Sequence, residues 1–166
     1  MQIRHKNREI YFREQAECTQ KYVIPYIEQV LCIKPNLRIL EIGCGEGGNL
    51  KPFLDLGCHC VGIDIDVAQL EKAKAFFANH SLNKNLRLIA NDIYKVSPNE
   101  IGNFDLIILR DVIEHLPNQE VFMHQLKCFM HSESVVFFGF PVWCNPFGGH
   151  QQICRNKWLS HTPWLH

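Results

Sequence analysis

The sequence predicts an α/β domain built on an open, mostly parallel sheet with helices on both faces. Short apolar runs alternate along the chain with segments of helical periodicity, the pattern of strands joined by crossover helices. Two runs, LIIL at 106–109 and VVFFGF at 135–140, are apolar at nearly every position, as in parallel strands buried on both faces. An earlier run, LRILEI at 37–42, is followed at once by a cluster of glycines, the signature of a strand that turns sharply into a helix.

Taken in order, Glu9 to Leu31 favours helix, but Pro25 cannot continue a helix undisturbed, so two helices or a kink are expected. Leu37 to Ile42 is the first strand. After the glycines, Leu50, Phe53 and Leu54 recur at helical spacing within Asn49 to Leu56, and Gly57 ends that helix. A second strand follows from Cys60 to Ile65. Asp66 can cap a helix reaching about Asn79, with Leu70, Ala73 and Phe77 on one face. Three more strands are expected at Leu86–Ala90, Phe104–Leu109 and Val135–Phe140, the last preceded by a helix from about Asn118 to Met130. The expected division is an N-terminal helical cap over 1–35 and a core over 36–166.

Composition narrows the function classes. Lys and Arg total 17 and so do Asp and Glu, and no long run of one sign is present, so nucleic acid is not the favoured partner. No apolar stretch reaches the roughly 18 residues of a spanning helix, and the start of the chain is polar, which points to a cytoplasmic protein without a membrane segment. The 8 cysteines are scattered through strand and helix patterns and read as reduced thiols. Cys58 and Cys60 lack the spacing of a zinc site.

The first turn reads Glu41-Ile42-Gly43-Cys44-Gly45-Glu46-Gly47-Gly48. Its glycines permit a tight turn and close approach of a ligand to backbone amides. Gly43, Gly45 and Gly48 also satisfy G-x-G-x-x-G, with Asp64 about 20 residues on, which admits a nicotinamide-dependent oxidoreductase. However, LEIGCGEGG resembles the first motif, E/D-x-G-x-G-x-G, of class I S-adenosylmethionine-dependent methyltransferases. Asn91-Asp92 after the third strand resembles the site where that family places an acid near adenine. FDLIILRDVIEHLPN, residues 104–118, resembles its fourth motif, and no second domain follows to supply hydride chemistry. The resemblance runs from about Gln15 through Phe140 and, more weakly, through FPVWCNPFGGHQ.

The resemblance implies S-adenosyl-L-methionine as cofactor and gives roles to named positions. Gly43, Cys44, Gly45 and Gly47 would wrap its methionine part, with Glu41 beneath orienting the loop. Asp64 would accept hydrogen bonds from both ribose hydroxyls, Ile65 would pack on adenine, and Asp92 and Ile93 would stand at its edge. Arg110 would line the methionine end mainly through its backbone. Each has a plainer rival: Asp64 capping a turn, Asp92 an ordinary loop acid, Arg110 a solvated side chain. The implied activity is methyl transfer to an oxygen, nitrogen or carbon of a small-molecule acceptor. A non-catalytic module that binds the cofactor or a partner is the alternative.

Tyr11, Phe12, Tyr22 and Tyr26 are candidates for an acceptor pocket. Asp111, Glu114 and His115 resemble the E-x-x-E-H metal motif of some ring O-methyltransferases, at a spacing that places them on one helical face. Most members with an E-H-L helix bind no metal, so none is expected. His150, preceded by Gly148 and Gly149 after the fifth strand, is the candidate general base. The family's sheet normally ends with two further strands, yet Pro141 to His166 has no strand pattern. The expectation is therefore a truncated form of a longer protein, or an edge at 135–140 covered by the tail or by another copy of the chain.

Overall fold

The computed structural model describes residues 7–140. Its five strands are β1 (Arg38–Ile42), β2 (His59–Asp64), β3 (Leu86–Ala90), β4 (Phe104–Arg110) and β5 (Met130–Gly139). They form one wholly parallel sheet in the order β3-β2-β1-β4-β5. The chain winds outward from β1 through β2 to β3, then crosses back to place β4 and β5 on the other side of β1. This reversal opens a crevice beyond the carboxyl ends of β1 and β4, where ligands bind in open α/β sheets.

The helices are α1 (Arg8–Cys18), α2 (Ile24–Ile27), α3 (Lys51–Asp55), α4 (Val67–Phe77), α5 (Pro98–Ile101) and α6 (Gln119–Cys128). The two α-helices expected around Pro25 are present, and they join without a break. A wide π-helical turn over Thr19–Val23 joins α1 to α2, and Pro25 sits in the first turn of α2. A prolyl nitrogen has no hydrogen to donate and its ring crowds the carbonyl one turn back; the extra residue in the turn absorbs both effects. Asp66 caps α4 as expected, accepting from the amides of Ala68 at 2.9 Å and Gln69 at 3.2 Å.

Alternation along the strands divides the core between two faces. Ile39, Leu106 and Ile108 face one side, where Phe12, Ile24 and Ile27 of the N-terminal segment and Phe53 and Phe77 cover them. Leu40, Ile42, Ile107 and Leu109 face the other, against Phe122, Leu126 and Phe129. Helices therefore cover both faces, as the apolar runs require. Cys58 and Cys60 are 0% and 1% exposed and belong to the first cluster. Burial pushes the Cys58 thiol up to about 11 and that of Cys60 up as well, so both serve as small apolar groups. The six described cysteines are free thiols.

β5 differs from expectation at both ends: it begins at Met130 and stops at Gly139. His131, Ser132 and Glu133 are exposed and polar, hence invisible to a search for apolar runs. Local bonds hold them to β4 instead. Asn103 donates its amide to the carbonyl of Met130 at 2.9 Å, and the Ser134 hydroxyl donates to that of Phe104 at 2.6 Å beside a register shift in the β4 pairing. Among the described residues the outer edge of β5 has no neighbouring strand. Its face is partly covered by Tyr26, whose ring meets Phe137 edge-on at 6.1 Å. No helix of the described residues is long and apolar enough to cross a membrane.

Candidate functional site

A cavity of about 690 Å³ lies at the carboxyl ends of β1, β2 and β4. Its floor is the glycine turn. Gly43, Gly45 and Gly47 take φ of 71°, 52° and 78°, a left-handed region costly for any residue with a Cβ. Space enforces the same choice: a Cβ on Gly43 would lie 2.4 Å from Cγ2 of Val112. The turn docks on β2 through the amides of Gly43 and Cys44, which both donate to the Ile63 carbonyl at 2.8 and 3.1 Å.

Asp64, the last residue of β2, fastens this turn. Its Oδ2 accepts from the Gly45 amide at 2.7 Å and its Oδ1 from the Asp66 amide at 2.8 Å. Asp64 is thus both a turn cap and a wall of the cavity. Each oxygen holds one backbone proton and keeps a further lone-pair direction. The next residue, Ile65, also lines the cavity and is 77% exposed, a large apolar side chain left without cover. Asp92 accepts from the Tyr94 amide at 3.1 Å and so caps the short turn that carries Ile93; both residues line the same wall.

Beneath the turn, the alternation of β1 sends Glu41 to the face covered by α1, where it is 1% exposed. Asn49 donates to its Oε1 at 2.7 Å, and its Oε2 has no hydrogen-bond partner. Burial raises the Glu41 carboxyl to about 8, against the lowering effects of the Asn49 bond and the Arg110 charge, so it is largely protonated at neutral pH. Arg110 is not a solvated side chain. Its guanidinium reaches inward, donating to Asn49 Oδ1 at 3.0 Å and to the Cys18 sulfur at 3.2 Å. The Thr19 hydroxyl donates to the same Asn49 oxygen at 2.9 Å. One amide therefore ties the π-helical turn, β1 and β4 together under the cavity floor.

Sequence reasoning missed Asn49 and Glu46. A polar residue opening an apolar helical pattern was the available signal for Asn49. Glu46 is 2% exposed and pairs with Arg8 of α1 at 2.8 Å and Lys72 of α4 at 3.6 Å, holding both helices to the turn. Of the four aromatic candidates only Tyr11 lines the cavity. Phe12 is buried in the core, while Tyr22 and Tyr26 are 60% and 63% exposed away from it.

Asp111, Glu114 and His115 do not share a regular helical face. Asp111 is left-handed at φ 56°, its amide donating to the Gly139 carbonyl at 2.6 Å, and only a short 3-10 turn, Ile113–His115, follows. Among the described residues no group of three His, Cys, Asp or Glu side chains is placed to hold a metal ion. His150 lies outside the described residues.

A sequence profile for the methyltransferase domain matches residues 12–159. A ubiquinone biosynthesis O-methyltransferase of Bartonella quintana (strain Toulouse) is 27% identical over 152 residues, 82% of this chain and 60% of that protein. The chain spans 49% to 60% of the length of such curated relatives. Among solved structures, coclaurine N-methyltransferase bound to N-methylheliamine and SAH superposes with a TM-score of 0.62 at 17% identity, over 72% of this chain and 35% of that one. An S-adenosyl-L-methionine-dependent methyltransferase described as putative, from Methanococcus maripaludis, gives 0.62 at 14% identity, over 77% and 61%. These likenesses show the fold; the profile, spanning most of the chain together with the glycine turn and its Asp64 clasp, shows that the chain belongs to the class I S-adenosylmethionine-dependent methyltransferase family.

Proposed function

We propose that this chain transfers a methyl group from S-adenosylmethionine to a small-molecule acceptor. The observation that carries the reading is the Asp64 clasp. A carboxylate rigidly held by the Gly45 and Asp66 amides presents its remaining lone pairs to the cavity, the arrangement a ribose diol needs. The cavity fits the rest of the molecule. Exposed Ile65 offers an apolar face for adenine, with Asp92 and Ile93 at its edge, and the backbone of Gly43, Cys44 and Gly45 surrounds space for the amino-acid part, with Gly47 packed behind the turn towards Phe77, Glu41 below and Arg110 alongside.

Carboxylates outnumber guanidinium groups along the cavity wall, which favours a sulfonium cation over an anion. When bound, S-adenosylmethionine supplies an activated methyl group. The chain's own residues then orient the acceptor in line, exclude water and, for a protonated nucleophile, take up a proton. His150 is the residue we assign to that proton, and Tyr11 and Gln15 of α1 stand on the wall open to an acceptor. Aromatic hydroxyl compounds are the first acceptors to try, because the ubiquinone-biosynthesis relative is an O-methyltransferase.

The free thiols suit a reducing, cytoplasmic setting, and the outer edge of β5 suits association of copies through 135–140. Calorimetry with S-adenosylhomocysteine, followed by transfer of labelled methyl groups to a panel of catechols, hydroxybenzoates and amines, tests the reading. Absence of binding at millimolar concentration would overturn it. Binding without transfer to any acceptor would favour the non-catalytic module.

A further inference from the structure

A second cleft lies at the opposite end of the sheet from the methyl-transfer cavity. It has a volume of about 240 Å³, and its walls are the first residues of four strands: Arg38 of β1, His59 of β2, Leu86 and Arg87 of β3, and Phe104 of β4. Lys84 and Asn85 complete the rim. Four of these residues are basic and none is acidic, in a chain of zero formal net charge.

Two of the cations are fixed in place. Arg38 donates to the carbonyls of Asn103, at 2.8 Å, and of Ile101, with its guanidinium over the Phe104 ring at 5.2 Å. Arg87 donates to the Glu100 carbonyl at 3.2 Å. The side chains of Lys84 and His59 have no hydrogen-bond or ion-pair partner among the described residues. Asp105, the neighbouring carboxylate, is already engaged by the Arg38 amide at 2.7 Å and by His131 at 3.1 Å. Glu100 is exposed, and its side chain is not part of the cleft wall.

We propose that this cleft binds a diphosphate-class anion, independently of the methyl-transfer site. Concentrated positive charge with two unspent donor groups selects an anion, and the rigid guanidinium groups match the spread oxygens of phosphate. Size suits the choice: the volume equals about eight waters at roughly 30 Å³ each, room for a diphosphate.

The experiment is titration of the full chain with inorganic pyrophosphate, followed by calorimetry and by amide shifts in nuclear magnetic resonance. Saturable binding is expected, with shifts confined to Arg38, His59 and Lys84 to Arg87. It should weaken at least about tenfold in Lys84→Glu and survive in Lys84→Arg. Since Lys84 is exposed and its side chain makes no hydrogen bond or ion pair among the described residues, the charge reversal should leave the fold and S-adenosylhomocysteine affinity unchanged. An ADP arm separates the sources: affinity equal to pyrophosphate assigns an esterified diphosphate, and loss of affinity assigns the free ion. Absence of saturation at millimolar pyrophosphate overturns the proposal, as does equal affinity in Lys84→Glu. Tighter, equally charge-sensitive binding of a short single-stranded oligonucleotide overturns it in favour of a nucleic-acid surface.

Discussion

Replacing Asp64 by alanine separates the two things its carboxylate does. In the free protein it removes the acceptors of the Gly45 and Asp66 amides, held at 2.7 and 2.8 Å. Each is a hydrogen bond to a charged group, but the loop is only partly buried and water can reach the released amides, so a stability loss of about 1–3 kcal/mol is expected. In the complex it removes the proposed partner of the ribose diol. A contribution of about 1.5–3 kcal/mol corresponds to roughly a 10- to 100-fold loss of affinity for S-adenosylhomocysteine. Asp64→Asn is a sharper probe. One of its two sites becomes an N–H donor facing a backbone N–H donor, so the turn is disturbed although volume is conserved. Calorimetry gives the affinities and thermal unfolding without ligand gives the stabilities. Asp66→Ala is the control: it removes the cap of α4 and leaves the Asp64 carboxylate in place, so stability should fall while affinity holds. An Asp64→Ala affinity within about threefold of the parent, in a parent that binds, would refute the ribose assignment.

Other outcomes follow from the same geometry. Because the folded-state pKa of Glu41 lies near 8, above its ordinary 4.5, the folded chain binds the extra proton between those values, and stability should fall as pH rises through that window. Glu41→Gln keeps an acceptor for Asn49 and cannot ionise, so denaturant unfolding should show a flatter pH dependence and a variant more stable than the parent above about pH 8. Gly43→Ala forces a Cβ to within 2.4 Å of Val112 at a left-handed φ and should cost at least about 1–2 kcal/mol with cofactor affinity lost, read by unfolding and calorimetry. With an acceptor in hand, His150→Ala should lower turnover about a hundredfold at unchanged cofactor affinity, and turnover within about twofold of the parent would remove it from the mechanism.

What the sequence disclosed was what depends on local pattern. Short, largely apolar runs located all five strands, and Asp66 announced the start of α4, because burial and capping leave direct marks on composition. The glycine turn and Asp64 were legible for the same reason: left-handed φ values demand glycine, and the acid follows at a fixed spacing. The polar opening of β5 was hidden, since Asn103 and Ser134 secure it by side-chain bonds that no apolar pattern records. The D-x-x-E-H string misled through its spacing, which places residues on one face only if the helix exists; Asp111 at φ 56° prevents that. Arg110 was ambiguous because its partners, Asn49 and Cys18, lie 61 and 92 residues away along the chain.

That last case shows how the floor of the cavity is built. Asn49 has one carbonyl oxygen and one NH₂ group, and here the oxygen accepts from Arg110 and Thr19 while the NH₂ donates to Glu41. The assignment is self-consistent only if Asn49 is oriented this way, since a flipped amide would set N–H donors against a hydroxyl and a guanidinium. A neutral Glu41 fits the same network: with its carboxyl protonated, Arg110 remains the charged group beneath the glycine turn, in place to balance the carboxylates that line the cavity above. The Thr19 bond brings the π-helical turn into this arrangement, because the wide turn that precedes Pro25 is the segment that carries Thr19 and ends the helix bearing Tyr11 and Gln15. The N-terminal segment thereby meets the glycine turn twice, through this buried amide and through the Arg8–Glu46 pair at 2.8 Å, and the two links together set where the wall bearing Tyr11 and Gln15 stands relative to the turn.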